Sequence, residues 1–153
     1  MRPDPRDIAT RLADTRRHLH EDVDLWMATA SSGAVPGLVP LSFDWDGRTI
    51  LVVTSRRSPA GTNLRDTGRC RAALGSLRDV VMVDATADQV VLEEVPAERW
   101  QRFAERTGWD PRASGPDYAA YLLRPTRVQA WREENELAGR TLMRDGTWVD
   151  EEP

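Results

Sequence analysis

The 153-residue chain contains no lysine: all 21 of its basic residues are arginine. That excludes Schiff-base catalysis and a lysine clamp on phosphate. A single cysteine, Cys70, excludes an intrachain disulfide. It stands in an alternating apolar stretch and reads as a small buried hydrophobe. The two histidines, His18 and His20, lie i,i+2 on a predicted helix and so face different ways, a poor metal pair that reads as a solvated helix end. With no cysteine–histidine cluster, a structural zinc is not expected. No serine sits in a nucleophile elbow, and no G-x-G-x-x-G or P-loop occurs. No apolar run reaches membrane-spanning length, and "MRPDPRDIATRL" lacks the apolar core of a secretory signal. A cytoplasmic protein without a membrane partner is the expectation. The net charge of −4 provides no field for nucleic acid.

What remains is an ordinary globular composition, 40% hydrophobic and 30% charged, in a length that suits one domain over residues 1–153. Residues 6–22 read as an amphipathic helix with Ile8, Leu12 and Leu19 near one face, so 1–23 forms an N-terminal helical segment. Strands are predicted at 25–31 and 35–45, the second carrying Pro36 and Pro40. Each proline removes a ladder donor and places the strand at an edge, a bulge or a site. Asp46-Gly47 is a hairpin signal leading into the near-continuous apolar strand "RTILVVTS". A helix over 59–67 stops at Gly68. A strand pair follows at 70–76 and 80–88, then a helix over 96–108 that packs Trp100 and Phe103. "YAAYLLRPTRVQAWRE" predicts two strand segments broken at Pro125. Residues 133–153 form an extension that could end in a hairpin at Asp145-Gly146. Asp44, Asp46, Asp79 and Asp84 read as turn and solvent-face residues. Short strands at roughly ten-residue spacing with peripheral helices predict a mainly β barrel or sandwich.

The stretch "TSRRSPAGTNL" (54–64) carries the most chemistry. Ser58 is a good N-cap and Pro59 a favoured first helical residue. The helix N-terminus points back at a loop bearing Thr54, Ser55, Arg56 and Arg57, a donor set suited to a terminal phosphate. Read alone, the stretch is more simply a capped helix with solvated arginines. The flanking strand "GLVPLSF" can offer Val39, Leu41 and Ser42 as an apolar slot with backbone donors and acceptors for a flat heteroaromatic ring.

In order and spacing, "WMATASSGAVPGLVPLSFDWDGRTILVVTS…SPAGTNLRDTGRCRAALG…VVMVDATA" resembles the pyridoxamine 5′-phosphate oxidase-like family of flavin-binding split barrels, some of which use a deazaflavin coenzyme. The likeness runs from about Leu25 to about Trp131. It implies a six-stranded antiparallel split β-barrel and a homodimer with FMN or a deazaflavin coenzyme at the subunit interface. By position, Val39, Pro40 and Leu41 would flank the ring. Thr54, Ser55, Arg57, Ser58 and Asn63 would hold or shape the phosphate end, with Arg56 beside them. Trp131 and Arg132 of "AWRE" would close the partner's site. The sequence departs from the pattern at Ala60, where the family commonly has a basic residue, usually lysine, paired with the phosphate. Arg56 or Arg57 would have to compensate. The activity implied is a flavin- or deazaflavin-dependent oxidoreductase moving hydride to or from a small organic substrate. The alternatives are a non-catalytic flavin-binding or ligand-carrier barrel, and a degenerate barrel without cofactor. Haem ligation would need an axial ligand, and neither histidine is well placed.

Overall fold

The computed structural model describes residues 1–152. Its elements run α1 (Ile8–Glu21), β1 (Asp24–Ala30), β2 (Pro36–Trp45), β3 (Ile50–Ser55), α2 (Pro59–Thr67), β4 (Arg69–Ser76), β5 (Asp79–Val90), α3 (Ala97–Thr107), β6 (Tyr118–Trp131), β7 (Thr141–Arg144) and β8 (Thr147–Trp148). All strand pairs are antiparallel. The order is β3-β2-β1-β4-β5-β6, and a β3–β6 pairing closes it into a six-stranded barrel, with β7 and β8 added beyond β6. The barrel closes because β6 is long. Its first half pairs with β3 over Tyr118–Leu123, and its second half reaches β7 at Val128 and Gln129.

Pro125 does not break this strand. β6 is continuous, and the register with β5 shifts between Asp84 and Ala85, leaving Thr126 as an extra residue. The bulge absorbs the missing donor, and Pro125 falls where β6 has left β3 and not yet met β7. The expected hairpin at Asp145-Gly146 forms. Both residues have positive φ (50° and 79°), as a two-residue turn of this hand requires.

Inward residues such as Met27, Phe43, Val52, Val83 and Leu123 fill the barrel. β3 is buried on both faces, which explains its unbroken apolar run. Ile50 and Val52 point inward, while Leu51 and Val53 meet Trp100 and Phe103 of α3 on the outside. An edge-on aromatic series, Trp100–Phe103–Trp109–Tyr118, extends that outer cluster with centroids 5.2–6.2 Å apart.

Asp44, expected on a solvent face, is fully buried. It sits under α3, where its carboxylate takes the Nε–H of Arg99 (3.0 Å) and two N–H groups of Arg102 (2.8 Å each). Arg99 spends its remaining donors on Asp46, on the hydroxyl and carbonyl of Thr49, and on the Asp44 carbonyl. Burial pushes the Asp44 carboxyl up, but Arg102 and Arg99 outweigh it and hold it below the usual range.

The buried face of α1 comprises Arg11, Leu12, Thr15 and Leu19, with Ile8 left 40% exposed. Arg11 and Arg6 bind the C-terminal extension. Arg6 pairs with the Glu136 carboxylate at 2.7 Å, and Arg11 donates to the Glu136 carbonyl at 2.9 Å. His18 is not solvated. Its Nδ1 meets Asp22 at 2.9 Å, and its buried Nε2 has no hydrogen-bond partner. No helix among the described residues is long and apolar enough to cross a membrane.

Candidate functional site

The barrel is split where β3 leaves β2. The two strands pair only over Phe43–Trp45, whereas β3 pairs with β6 along its whole length. β2 therefore keeps one free edge over residues 36–42, while its other edge pairs with β1 throughout. The alternation of backbone groups fixes what that edge presents. The Phe43 amide donates to Val23 O on the β1 side, and the Val35 carbonyl accepts from Ser31 N on the same side. Odd positions thus face β1 and even positions face the split. Pro36 and Pro40 are even, so neither costs a ladder bond. The free edge offers the N–H and C=O of Leu38, the C=O alone of Pro40, and the N–H of Ser42, whose C=O faces Val53 of β3 at the start of the β2–β3 pairing.

Below this edge lies a slot of about 360 Å³ lined by Thr29, Gly37, Leu38, Val39, Pro40, Leu41, Thr54, Ser58, Pro59 and Ala60. Its volume falls in the small-molecule range. Its walls are mostly apolar, and none of its lining side chains is charged. Val39, Pro40, Leu41, Thr54 and Ser58, all named from the sequence, thus line one slot. The side chains of the other predicted residues are engaged elsewhere or exposed. Ser42 donates its hydroxyl to Asp24 at 2.6 Å. Asn63 turns inward and donates to Thr29 Oγ1 at 3.0 Å, tying α2 to β1. Arg56 reaches away to the Pro116 carbonyl at 3.0 Å. Arg57 is exposed and makes no side-chain hydrogen bond or ion pair among the described residues. Trp131 stacks under Arg140, and Arg132 pairs with Asp79, at the far end of β6. Thr29 and Gly37, which sequence reasoning missed, line the slot because β1 and β2 place them opposite each other.

The turn from β3 into α2 is closed on itself. Ser58 Oγ donates to Ser55 O (2.7 Å) and accepts from Gly61 N (3.0 Å). A Cβ at Gly61 would lie 2.3 Å from that same Ser55 carbonyl, so only glycine permits the approach. Cys70 is partly buried, and burial foremost, with Asp84 nearby, pushes its thiol up to about 12. It is a protonated packing group. A larger hollow of about 650 Å³ crosses β1 and β4. It is shallower, and of its charged groups Arg71 pairs with Asp84 while Arg69 is exposed. Among the described residues no cluster of three metal-ligating side chains occurs.

No family model matches the sequence, and no curated protein matches it. Solved structures do match the fold. The chain resembles the haem storage protein HutZ from Vibrio cholerae with a TM-score of 0.67 at 17% identity, covering 80% of this chain and 94% of that one. An F420 reductase matches at 0.62 and 16%, covering 74% and 94%. A putative pyridoxamine 5′-phosphate oxidase from Listeria innocua matches at 0.62 and 15%, covering 82% and 98%. At these identities the likeness is one of fold, and the fold is the pyridoxamine 5′-phosphate oxidase-like split barrel.

Proposed function

We propose that the protein is a homodimeric split barrel that seats a flat heteroaromatic cofactor of the flavin or deazaflavin class against β2 and serves as an oxidoreductase on a small organic substrate. The observation that carries this is the free edge of β2. It sets donors and acceptors at Leu38, Pro40 and Ser42 in one line over an apolar slot, which matches the polar rim and apolar faces of such a ring. When bound, the ring supplies the hydride chemistry. The chain supplies position, hydrogen bonds to the ring edge and a dry wall, and needs no acid or base of its own.

The outward face of β1, β2 and β4 supports the dimer. Cross-strand neighbours Pro40, Trp26, Ala73 and Met82 form an apolar row, with Trp26 52% and nearby Leu38 62% exposed. A contiguous patch of this kind is suited to burial against a second copy. Sedimentation should return twice the chain mass, and Trp26→Arg should shift it toward the monomer.

The absence of any ionisable side chain in the slot lining also favours a carrier that binds the ring without turnover. A haem reading, drawn from the storage protein above, has less support, since no histidine, cysteine, methionine or tyrosine lines the slot. Fluorescence titration with FMN and with the deazaflavin coenzyme tests the proposal. A Kd of about 10 µM or tighter for either supports it, and no binding of either overturns it. Steady-state oxidation of reduced cofactor then separates enzyme from carrier.

A further inference from the structure

We infer that the slot selects a ligand whose end at the α2 turn is uncharged: a flat heteroaromatic with a hydroxyl-bearing chain, riboflavin-like, in preference to its phosphate ester. The inference rests on the ring-binding proposal above and concerns the opposite end of the same slot.

A phosphate at the mouth of α2 would need donors or a cation. The local structure has consumed most of the donors, and the free cation nearby, Arg57, is exposed and lies outside the slot lining. Pro59 has no N–H. The Gly61 amide is capped by Ser58 Oγ, and the Thr62 amide donates to the Ser58 carbonyl at 2.9 Å. Of the first helical amides only that of Ala60 is left, and Ala60 is itself buried. The Ser58 hydroxyl proton already goes to Ser55 O. That carbonyl presses on the first turn of α2 so closely that a methyl at Gly61 would overlap it. An acceptor oxygen therefore occupies the place where an anion would need a donor.

No positive side chain lines the slot. Its wall at this end is Thr54, Ser58, Pro59 and Ala60, none of them charged. Arg56 is anchored away from it by its side chain to Pro116 O and by its amide to Asp117 O. Asn63, the buried polar side chain of the first two turns, donates to Thr29. A dianion drawn into this slot would be desolvated against apolar walls and a carbonyl. A hydroxyl can donate to such an acceptor and loses nothing by lacking charge.

The test is paired titration of the purified protein with riboflavin and FMN at low and high salt. The expected result is riboflavin binding tighter than FMN, with neither changing as salt rises, since no ion pair is screened. FMN binding as tightly as riboflavin or tighter would overturn the inference while leaving the ring-binding proposal standing. Failure of both ligands would overturn the two together. Ala60→Lys, its melting followed in parallel, places a cation in the slot wall. It should move the FMN-to-riboflavin preference by tenfold or more toward FMN. An unchanged preference would mean that the ligand's chain does not run to α2, against the inference.

Discussion

Two arginine clusters flank the barrel and use the same side chain in opposite ways. Under α3, Arg99 is 8% exposed, and all five of its N–H groups find acceptors on Asp44, Asp46 and Thr49. In the loop between β3 and α2, Arg56 and Arg57 are exposed, one holding a loop carbonyl and the other in solvent. The loop is the denser in charge along the sequence, yet its arginines stand outside the slot. The α3 cluster draws on Asp44, between Phe43 and Trp45, and on Asp46, and is the better buried. Charge density along a chain therefore does not locate charge in a structure. The partner decides, and here it lies 55 residues away.

Breaking the α3 cluster should have the largest effect. Asp44→Ala leaves two guanidinium groups facing a buried void and should cost about 3–5 kcal/mol in denaturant unfolding. Second is the clasp between the chain ends. Hydrogen bonds from Arg6, outweighing burial, lower the Glu136 carboxyl from 4.5 to about 2. Because the folded value is depressed, the clasp stabilises fully above the ordinary glutamate range, and its contribution is lost as pH falls from about 4.5 toward 2. That contribution is on the order of 2–3 kcal/mol, and Arg6→Ala should flatten the acid limb of a stability–pH curve. Third, Gly61→Ala drives a methyl into the Ser55 carbonyl and should cost about 1–3 kcal/mol by overpacking, read from the shift in thermal midpoint. Last, Arg57→Ala should leave stability within about 0.5 kcal/mol. An Arg57 effect comparable to that of Asp44 would erase the contrast between the two clusters.

Much of the fold is legible along the chain because its signals are local. Ser58, Pro59 and Gly68 bound α2 at the residues expected, and both Asp-Gly pairs turn hairpins. The prolines of β2 announced an irregular strand, and the free edge is its cause. The misses are all long-range. Pro125 reads as a break until β5 and the gap between β3 and β7 are known. The burial of Asp44, Arg11 and His18 depends on elements far away in sequence. At the slot, the types and order of the wall residues were readable. Whether each donor still had a free hydrogen was not, since that is settled by bonds within the turn itself.

The free edge of β2 has a consequence for solubility. An unpaired strand edge is a template on which another extended chain can polymerise. Here the donors that such a chain would need at positions 36 and 40 are missing, because both are proline. A foreign strand could meet only interrupted pairing along this edge, whereas a flat molecule that needs a few spaced contacts is not hindered. The same two residues that leave room for a ligand thus also guard the protein against sheet-to-sheet aggregation.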